Sequence, residues 1–253
     1  MRLVSIISVW SDCIELLPFV IKNHLQFCDG VIVMWSIESN HGAKDKRLLE
    51  FVATHNYERV LFHQLEPLKR LKPLENETRK RNQGIEVAKK EGYTHFFLAD
   101  ADECYLPEEV EKDKKLFEET KINGVVCRVN VYISEPTLWC EDYNTLVPFI
   151  HKLQKDTLCG RIHDYPFAYN NKRAMIDPSR RLNIKGIVMS NTVMHHMSYV
   201  RNDVGLKVRN SSAKLINRFG MIKEMMRKAK PGYYVEMYQG ELKESPNYFN
   251  ICI

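Results

Sequence analysis

Three carboxylates follow an apolar run and have the spacing of metal ligands. The residues from position 95 to 99 are mostly apolar and predict a buried strand, which ends in Asp100, Asp102 and Glu103. Because side chains alternate along an extended segment, we expect Asp100 and Asp102 to point the same way. Two hard oxygen ligands on one side suit a divalent cation that also holds substrate phosphates. The spacing therefore predicts Mn²⁺ or Mg²⁺ and a phosphate-bearing substrate.

Alternating strand and helix patterns surround this segment. Short apolar runs rich in β-branched residues predict strands at 3–10, 31–35, 59–64, 95–100 and 124–132. Helical spacing predicts helices at 14–27, 44–54, 75–91 and 108–120. This order is typical of an α/β protein with a mainly parallel sheet and helices on both faces. Ligands of such sheets bind outside the carboxyl ends of the strands, where Asp100 and Asp102 are expected.

The helix and strand before the acidic cluster carry a recognisable motif. Asn82, Gly84 and Ala88 have the spacing N-x-G-x-x-x-A, and Asp100 and Asp102 follow as D-x-D. This pattern resembles the metal-dependent nucleotide-sugar glycosyltransferases of the GT-A (Rossmann-like) fold, especially glycosyltransferase family 2. The resemblance implies a hexosyl- or pentosyltransferase that moves a sugar from a nucleotide diphosphate donor to a hydroxyl acceptor, with inversion.

A histidine segment supplies the third predicted metal ligand. The segment containing His196, Ser198 and Tyr199 is similar to the H-x-S-[WY] element of glycosyltransferase family 17. The resemblance implies that His196 completes the metal site with Asp100 and Asp102. An imidazole ligand favours Mn²⁺ over Mg²⁺, because Mg²⁺ prefers oxygen ligands only. Neighbours on a strand face opposite ways, so we expect the adjacent His195 to be a core residue.

The resemblance also implies a catalytic base. The stretch at 160–164 is similar to the G-x-[IV]-H-E element of family 2-like enzymes, in which the acidic residue deprotonates the acceptor hydroxyl. Asp164 occupies that position with a shorter side chain than the usual glutamate. Glu103, Glu141 and Asp142 remain alternatives for the base.

The donor-binding residues are expected at the end of the first strand and in the helix before the acidic cluster. The family resemblance implies a UDP-sugar donor, although the usual D-D-G-S-x-D turn is replaced here by residues 36–40. The predicted contacts are with the nucleotide base, the ribose and the diphosphate: Ser8, Trp10, Glu38, Arg79, Arg81 and Asp100.

Composition limits the class of protein. A hydrophobic fraction of 44% with 27% charged residues is typical of a globular chain, and no apolar run reaches the roughly 20 residues of a membrane span. Seven cysteines at irregular spacing indicate no disulfide framework, which favours a cytoplasmic protein. We expect a catalytic domain at 1–201 and a basic, amphipathic helical appendage at 202–253.

The acceptor and two other functions remain open. Basic residues cluster at 69–81 and 207–230 within a net charge of +5, which indicates an anionic ligand. The acceptor is either a saccharide of a surface polymer or a hydroxylated DNA base. The alternatives to a glycosyltransferase are a nucleotidyltransferase on a similar scaffold, although residues 8–14 contain no glycine for a phosphate loop, and a non-enzymatic nucleic-acid-binding module.

Overall fold

A computed structural model describes residues 1–160, 168–169, 172–173, 175–176, 180–211 and 215–253. Four parallel strands form one half of its central sheet. They are β1 (Leu3–Val9), β2 (Gly30–Trp35), β3 (Val60–Gln64) and β4 (His95–Asp100), in the spatial order β3-β2-β1-β4. The chain therefore first builds the sheet outward on one side of β1 and then places β4 on the other side. All four carboxyl ends lie at one edge of the sheet.

The other half of the sheet is mixed. It continues from β4 through an antiparallel strand, β8 (Thr145–Lys152), to β6 (Gly124–Ile133), which pairs in parallel with the long β12 (Ile187–Tyr199). The short β5 (Glu103–Cys104) pairs with β12 and brings the acidic cluster beside the histidine segment. The strands after β4 are β5 (Glu103–Cys104), β6 (Gly124–Ile133), β7 (Leu138–Glu141), β8 (Thr145–Lys152), β9 (Ala168–Tyr169), β10 (Lys172–Arg173), β11 (Met175–Ile176), β12 (Ile187–Tyr199), β13 (Tyr234–Val235), β14 (Gly240–Glu241) and β15 (Lys243–Glu244).

Helices cover both faces of the parallel strands. The described helices are α1 (Leu17–His24), α2 (Arg47–Thr54), α3 (Pro73–Lys90), α4 (Pro107–Glu119), α5 (Val204–Asn210) and α6 (Phe219–Lys228). Alternate residues of β1, β2 and β4 pack on α1 and α2 on one face and on α3 on the other. Strands buried on both faces need apolar residues at nearly every position, as these strands have. The predicted α/β fold with a mainly parallel core and helices on both faces is confirmed.

Residues 202–253 contribute to the same core. Val204, Val208, Ile222 and Leu242 are buried in the cluster that includes the main sheet. After α6 the chain also forms a small hairpin of β13 and β14, and β15 pairs with β7 of the main sheet. The segment is thus partly helical and partly extended. The domain boundary predicted after residue 201 remains a prediction.

The cysteines form no disulfide bonds. All seven cysteines are free thiols, and six of them are buried. Among the described residues, no helix is both long and apolar enough to cross a membrane.

Gly84 allows α3 to approach the sheet closely. A Cβ atom at this position would lie 2.4 Å from Cγ2 of Ile6 and 3.2 Å from Cγ of Met34. Both side chains are fully buried. The glycine of the N-x-G-x-x-x-A motif is therefore required by packing between the helix and the sheet.

We expect Gly84→Ala to destabilise the protein by about 1–2 kcal/mol. Overpacking a core costs about 1–3 kcal/mol, whereas alanine gains about 1 kcal/mol of helix propensity. Gly220→Ala is the matched control, because nothing lies within 4 Å of the Cβ it would add. Urea unfolding of both variants measures the difference. Equal stability of the two variants would contradict the close approach.

We expect stability to fall as the pH drops from 6.5 to 5. Burial lowers the pKa of His24 and His151 to about 3 and that of His195 to about 4. These histidines stay neutral when folded but bind protons when unfolded, so acidification below their ordinary pKa favours unfolding by at most about 1.4 kcal/mol per pH unit each. Carboxylates with lowered pKa values act only at lower pH, and buried carboxyls with raised pKa values, such as Glu103 and Asp113, act in the opposite direction to the histidines.

His151→Phe is the informative variant for this pH dependence. Both ring nitrogens of His151 are buried without a hydrogen bond among the described residues, so phenylalanine removes the titration without removing a bond. The free energy of unfolding of the variant should depend less steeply on pH between 6.5 and 5 than that of the wild type. An unchanged slope would show that His151 does not contribute.

Candidate functional site

A cleft lies at the carboxyl ends of β1 and β4. Ser8 and Asp100 are partners in the register of these two strands, and both line the cleft. Its volume is about 130 Å³. The hydroxyl oxygen of Ser8 is buried and has no hydrogen bond within the part of the chain that the structure describes. The lining residues come from β1, the loops after β1 and β2, α3, the end of β4 and α5: Ser8, Val9, Trp10, Asp12, Cys13, Ser39, Asn40, Glu77, Lys80, Asp100, Lys207, Asn210 and Ser211.

Asp100 is the carboxylate at the end of β4, and two arginines hold it. Nη2 of Arg81 donates to one carboxylate oxygen at 2.9 Å, and Nη2 of Arg180 donates to the other at 2.7 Å. Burial opposes the charge of Asp100, but Arg180 and Arg81 hold its pKa below the ordinary value. Its side chain retains 28% exposure, so this carboxylate can still meet a ligand.

Asp102 is the most enclosed member of the cluster. Its Oδ2 accepts hydrogen bonds from Nη2 of Arg201 at 2.5 Å and from Nζ of Lys207 at 2.8 Å. Its Oδ1 is buried without a hydrogen bond among the described residues, with Nε2 of His196 at 3.5 Å. Burial opposes ionisation, but Lys207 and His196 hold the pKa of Asp102 well below its usual value. Asp102 is therefore a carboxylate anion.

Glu103 and Arg180 form a buried ion pair behind Asp100. Nη1 of Arg180 donates to Oε2 of Glu103 at 2.9 Å, and Nη2 of Arg180 donates to Oε1. Burial raises the pKa of Glu103 although Arg180 opposes the rise. Because Nη2 of Arg180 also bonds Asp100, one guanidinium bridges two of the three carboxylates.

The paired strands β5 and β12 set the positions of the two histidines. His196 lies opposite Glu103 in this register and its side chain is 24% exposed. His195 is buried, and its Nδ1 lies 2.8 Å from the hydroxyl of Tyr132. Of the two, His196 therefore faces the acidic cluster, and His195 is in the core.

Lys80 projects from α3 across the ends of β1 and β2. Its Nζ donates to the carbonyl of Val9 at 3.3 Å and to the hydroxyl of Ser36 at 3.0 Å. Burial lowers the pKa of Lys80 to about 8, which leaves the ammonium charged at neutral pH. It is a cation at the floor of the cleft.

Asp102, Glu103 and His196 could hold a metal ion, since one ligand atom from each lies within 4.8 Å of the others. This group contains Glu103 where the sequence predicted Asp100. Its fit to a cation is poor, however. Both oxygens of Glu103 are bonded to Arg180, and Oδ2 of Asp102 is bonded to Arg201 and Lys207. Within this group, only Oδ1 of Asp102 and Nε2 of His196 could bind a metal ion without competing with a bonded arginine or lysine.

The other predicted donor contacts are distributed around the cleft. Trp10 lines it, with its indole nitrogen donating to the carbonyl of Ile37 at 3.0 Å. Glu38 lies in a neighbouring depression that shares Ser39 and Asn40 with the cleft. Arg79 does not line the cleft and donates to the carbonyl of Glu66 at 2.9 Å.

Two predicted site residues, Arg81 and Asp164, are not among the described residues that line the cleft. The side chain of Arg81 is fully buried, so it reaches the cleft only through its bonds to Asp100 and Glu77. Asp164 lies outside the described residues, and its role remains a prediction.

Two cleft residues, Lys80 and Lys207, were not identified from the sequence. Lys80 is four residues from Gly84 and eight from Ala88, a spacing that places it on the buried face of the helix, so the sequence contained a signal for it. Lys207 had no such signal, because it is 105 residues from its partner Asp102.

Comparisons with known proteins give structural likeness only. No family model and no curated protein matches the sequence. A crystal structure of S. aureus TarS 1-349 is similar over 91% of this chain and 76% of its own, at 13% identity and a TM-score of 0.48. The same fragment in complex with UDP is similar over 53% and 37%, at 13% identity and a TM-score of 0.39.

A CMP:2-keto-3-deoxy-manno-octonic acid synthetase complexed with CTP is similar over 55% of this chain and 58% of its own, at 15% identity and a TM-score of 0.35. At these identities and TM-scores, the likeness does not assign a substrate or a reaction to this chain.

We expect Asp102→Asn to lower the free energy of unfolding by about 3–5 kcal/mol. The change leaves Arg201 and Lys207 buried without their anion, which is costly in a region of low dielectric constant. The control is Asp45→Asn, since Asp45 pairs with the half-exposed Arg47 and such pairs contribute less than about 1 kcal/mol. Denaturant unfolding of both variants checks this; a cost for Asp102→Asn as small as that of the control would contradict it.

Proposed function

We propose that this protein is a glycosyltransferase that binds a nucleotide diphosphate sugar in the cleft and transfers the sugar to a hydroxyl acceptor. The observation that carries the proposal is the position of the cleft between the carboxyl ends of β1 and β4. The chain reverses its direction of sheet building between these strands, because β2 and β3 lie on the other side of β1. Nucleotides bind open α/β sheets at such a reversal.

The groups in the cleft fit the parts of such a donor. Asp100 offers a partly exposed carboxylate that can accept hydrogen bonds from ribose hydroxyls, and the unbonded hydroxyl of Ser8 lies beside it in register. Lys80 and Lys207 offer positive charge for the diphosphate. The neighbouring depression at Glu38 and Asn40 extends from the cleft and would take the base, for which uridine is our expectation.

The reaction would be a single displacement at the anomeric carbon. The acceptor oxygen forms a bond to that carbon, the bond from the carbon to the diphosphate oxygen breaks, and the nucleoside diphosphate leaves with the bonding electrons. An inverting enzyme needs one base to take the proton of the acceptor hydroxyl. Asp164 is the candidate that the sequence resemblance supplies. Cationic groups beside the diphosphate stabilise the charge that develops on it.

The acceptor belongs to one of two classes. A saccharide of a surface polymer and a hydroxylated DNA base both provide a hydroxyl. Lys80, Arg81 and Lys207 belong to the basic segments that suggested DNA, but Arg81 is fully buried, and Lys80 and Lys207 line the cleft. This favours the donor as the anion that these segments bind. A steep loss of activity with rising salt would instead favour DNA as the acceptor.

A nucleotidyltransferase is the second candidate, because the cleft would also accept a nucleoside triphosphate. The two reactions have different products. Transfer from a nucleotide sugar releases a nucleoside diphosphate, whereas nucleotidyl transfer to a sugar phosphate releases pyrophosphate. Incubation with each substrate pair and analysis of the released phosphate compound distinguishes the two functions.

We expect one nucleoside diphosphate to bind in the cleft with micromolar affinity. Isothermal titration with UDP, GDP, CDP and ADP, each with EDTA and with Mn²⁺, identifies the base. Ser8→Val should weaken this binding by about ten-fold or more, because it adds bulk beside Asp100 at the carboxyl end of β1. Valine suits a strand, so the fold should persist.

His63→Val is the control, since it places the same side chain on β3 outside the cleft residues. Its affinity should equal that of the wild type. No binding of any nucleotide in either buffer would overturn the proposed function.

A further inference from the structure

We infer that Lys80 and Lys207 hold the donor diphosphate, in the position where the sequence predicts a divalent cation. This inference rests on the proposed function, because it concerns how the same cleft binds its nucleotide. It assigns a role to two residues and makes binding independent of metal. Two features of the site support it: the carboxylates of the acidic cluster are bonded to cations, and the two lysines line the cleft.

The acidic cluster is already neutralised by cationic side chains. Asp100 is bonded by Arg81 and Arg180, and Asp102 by Arg201 and Lys207. Arg180 also pairs with Glu103. Three carboxylates thus meet four cationic side chains at hydrogen-bond distance. A divalent cation coordinated by two of these carboxylates would either lie beside side chains that are already cationic or displace one of the four from its partner.

Burial makes such a displacement unfavourable. The side chains of Asp102 and Glu103 have 0% and 1% exposure, and those of Arg180 and Arg201 have 4% and 1%. Removing one partner of a buried ion pair is strongly destabilising, since the remaining charge has neither water nor a counter-ion. An incoming cation would also be repelled by the displaced one nearby.

The two lysines, in contrast, face the cleft with unused hydrogen-bond capacity. An ammonium group has three N–H donors. Nζ of Lys207 makes one described bond, to Asp102, and Nζ of Lys80 makes two, to Val9 and Ser36. Among the described residues, both therefore retain N–H groups for phosphate oxygens, for which ammonium is a common partner.

Glu77 and Asp12 also line the cleft, and neither makes a described hydrogen bond to Lys80 or Lys207. Glu77 bonds Arg81 at 2.6 Å. Burial raises the pKa of Asp12, although Lys207 and Arg201 oppose the rise. Asp102 then has a positioning role, because it fixes the ammonium of Lys207 at the cleft wall and does not itself touch the donor.

The first test uses wild-type protein and therefore does not depend on the folding of a variant. The nucleoside diphosphate identified from the panel is titrated in EDTA and in excess Mn²⁺, alongside the corresponding nucleoside. We expect the affinity in the two buffers to differ by less than about three-fold, and the nucleoside to bind much more weakly in both. Titration with Mn²⁺ alone should give no binding heat.

The second test removes each ammonium group while keeping the length of the side chain. Lys80→Met and Lys207→Met should each weaken diphosphate binding in EDTA by about ten-fold or more and leave nucleoside binding unchanged. Lys115→Met, on the exposed face of α4, is the matched control and should bind as the wild type does. Thermal unfolding of each variant identifies any loss that comes from unfolding.

The outcomes separate this inference from the proposed function. Binding that requires Mn²⁺ would overturn the inference and leave the function standing. Binding in EDTA that persists in both folded lysine variants would overturn the role of the lysines. No nucleotide binding in either buffer would overturn the proposed function and the inference with it. Metal-independent binding lost with either lysine would support both.

Discussion

The buried bonds between Asp102 and the cations Arg201 and Lys207 are the constraint on which the site depends. They connect the turn after β4 to a segment about one hundred residues later in the chain. A buried carboxylate requires partners, because neither water nor a high dielectric constant is available to stabilise its charge. The need to pair Asp102 therefore holds α5 over the carboxyl edge of the sheet and closes one side of the cleft.

The same requirement extends through the neighbouring residues. Arg180 joins Asp100 to Glu103, and Arg81 joins Asp100 to α3. Each cation contacts an acid from a different part of the chain, so the network fixes the relative positions of β4, β5, α3 and the segment before β12. The cleft lies on this rigid base. Lys80 and Lys207 differ from the arginines because they line the cleft.

The sheet sets the position of the cleft, and the network of buried ion pairs fixes the side chains around it. Four parallel strands bring their carboxyl ends to one edge, and the reversal between β1 and β4 leaves a crevice there. Gly84 lets α3 lie close enough for Lys80 to reach Val9 and Ser36. The mixed half of the sheet brings β5 beside β12, which places His196 next to the acidic cluster. Local packing and buried charge thus act on the same few residues.

The sequence by itself determined the α/β fold and indicated the carboxyl edge of its parallel strands as the candidate site, because both follow from local patterns. Apolar runs and helical spacing predict strands and helices, and a polar cluster after a buried strand marks the edge of a parallel sheet. Asp100 was expected at this edge for that reason, whereas the family resemblance implied Ser8 and Trp10; all three line the candidate cleft. Tertiary structure alone decided that Asp102 is enclosed, that Arg79 bonds elsewhere and that Lys207 joins the cleft. Those outcomes depend on which charges are buried together, and a buried charge selects its partner by distance in space, not by spacing along the chain.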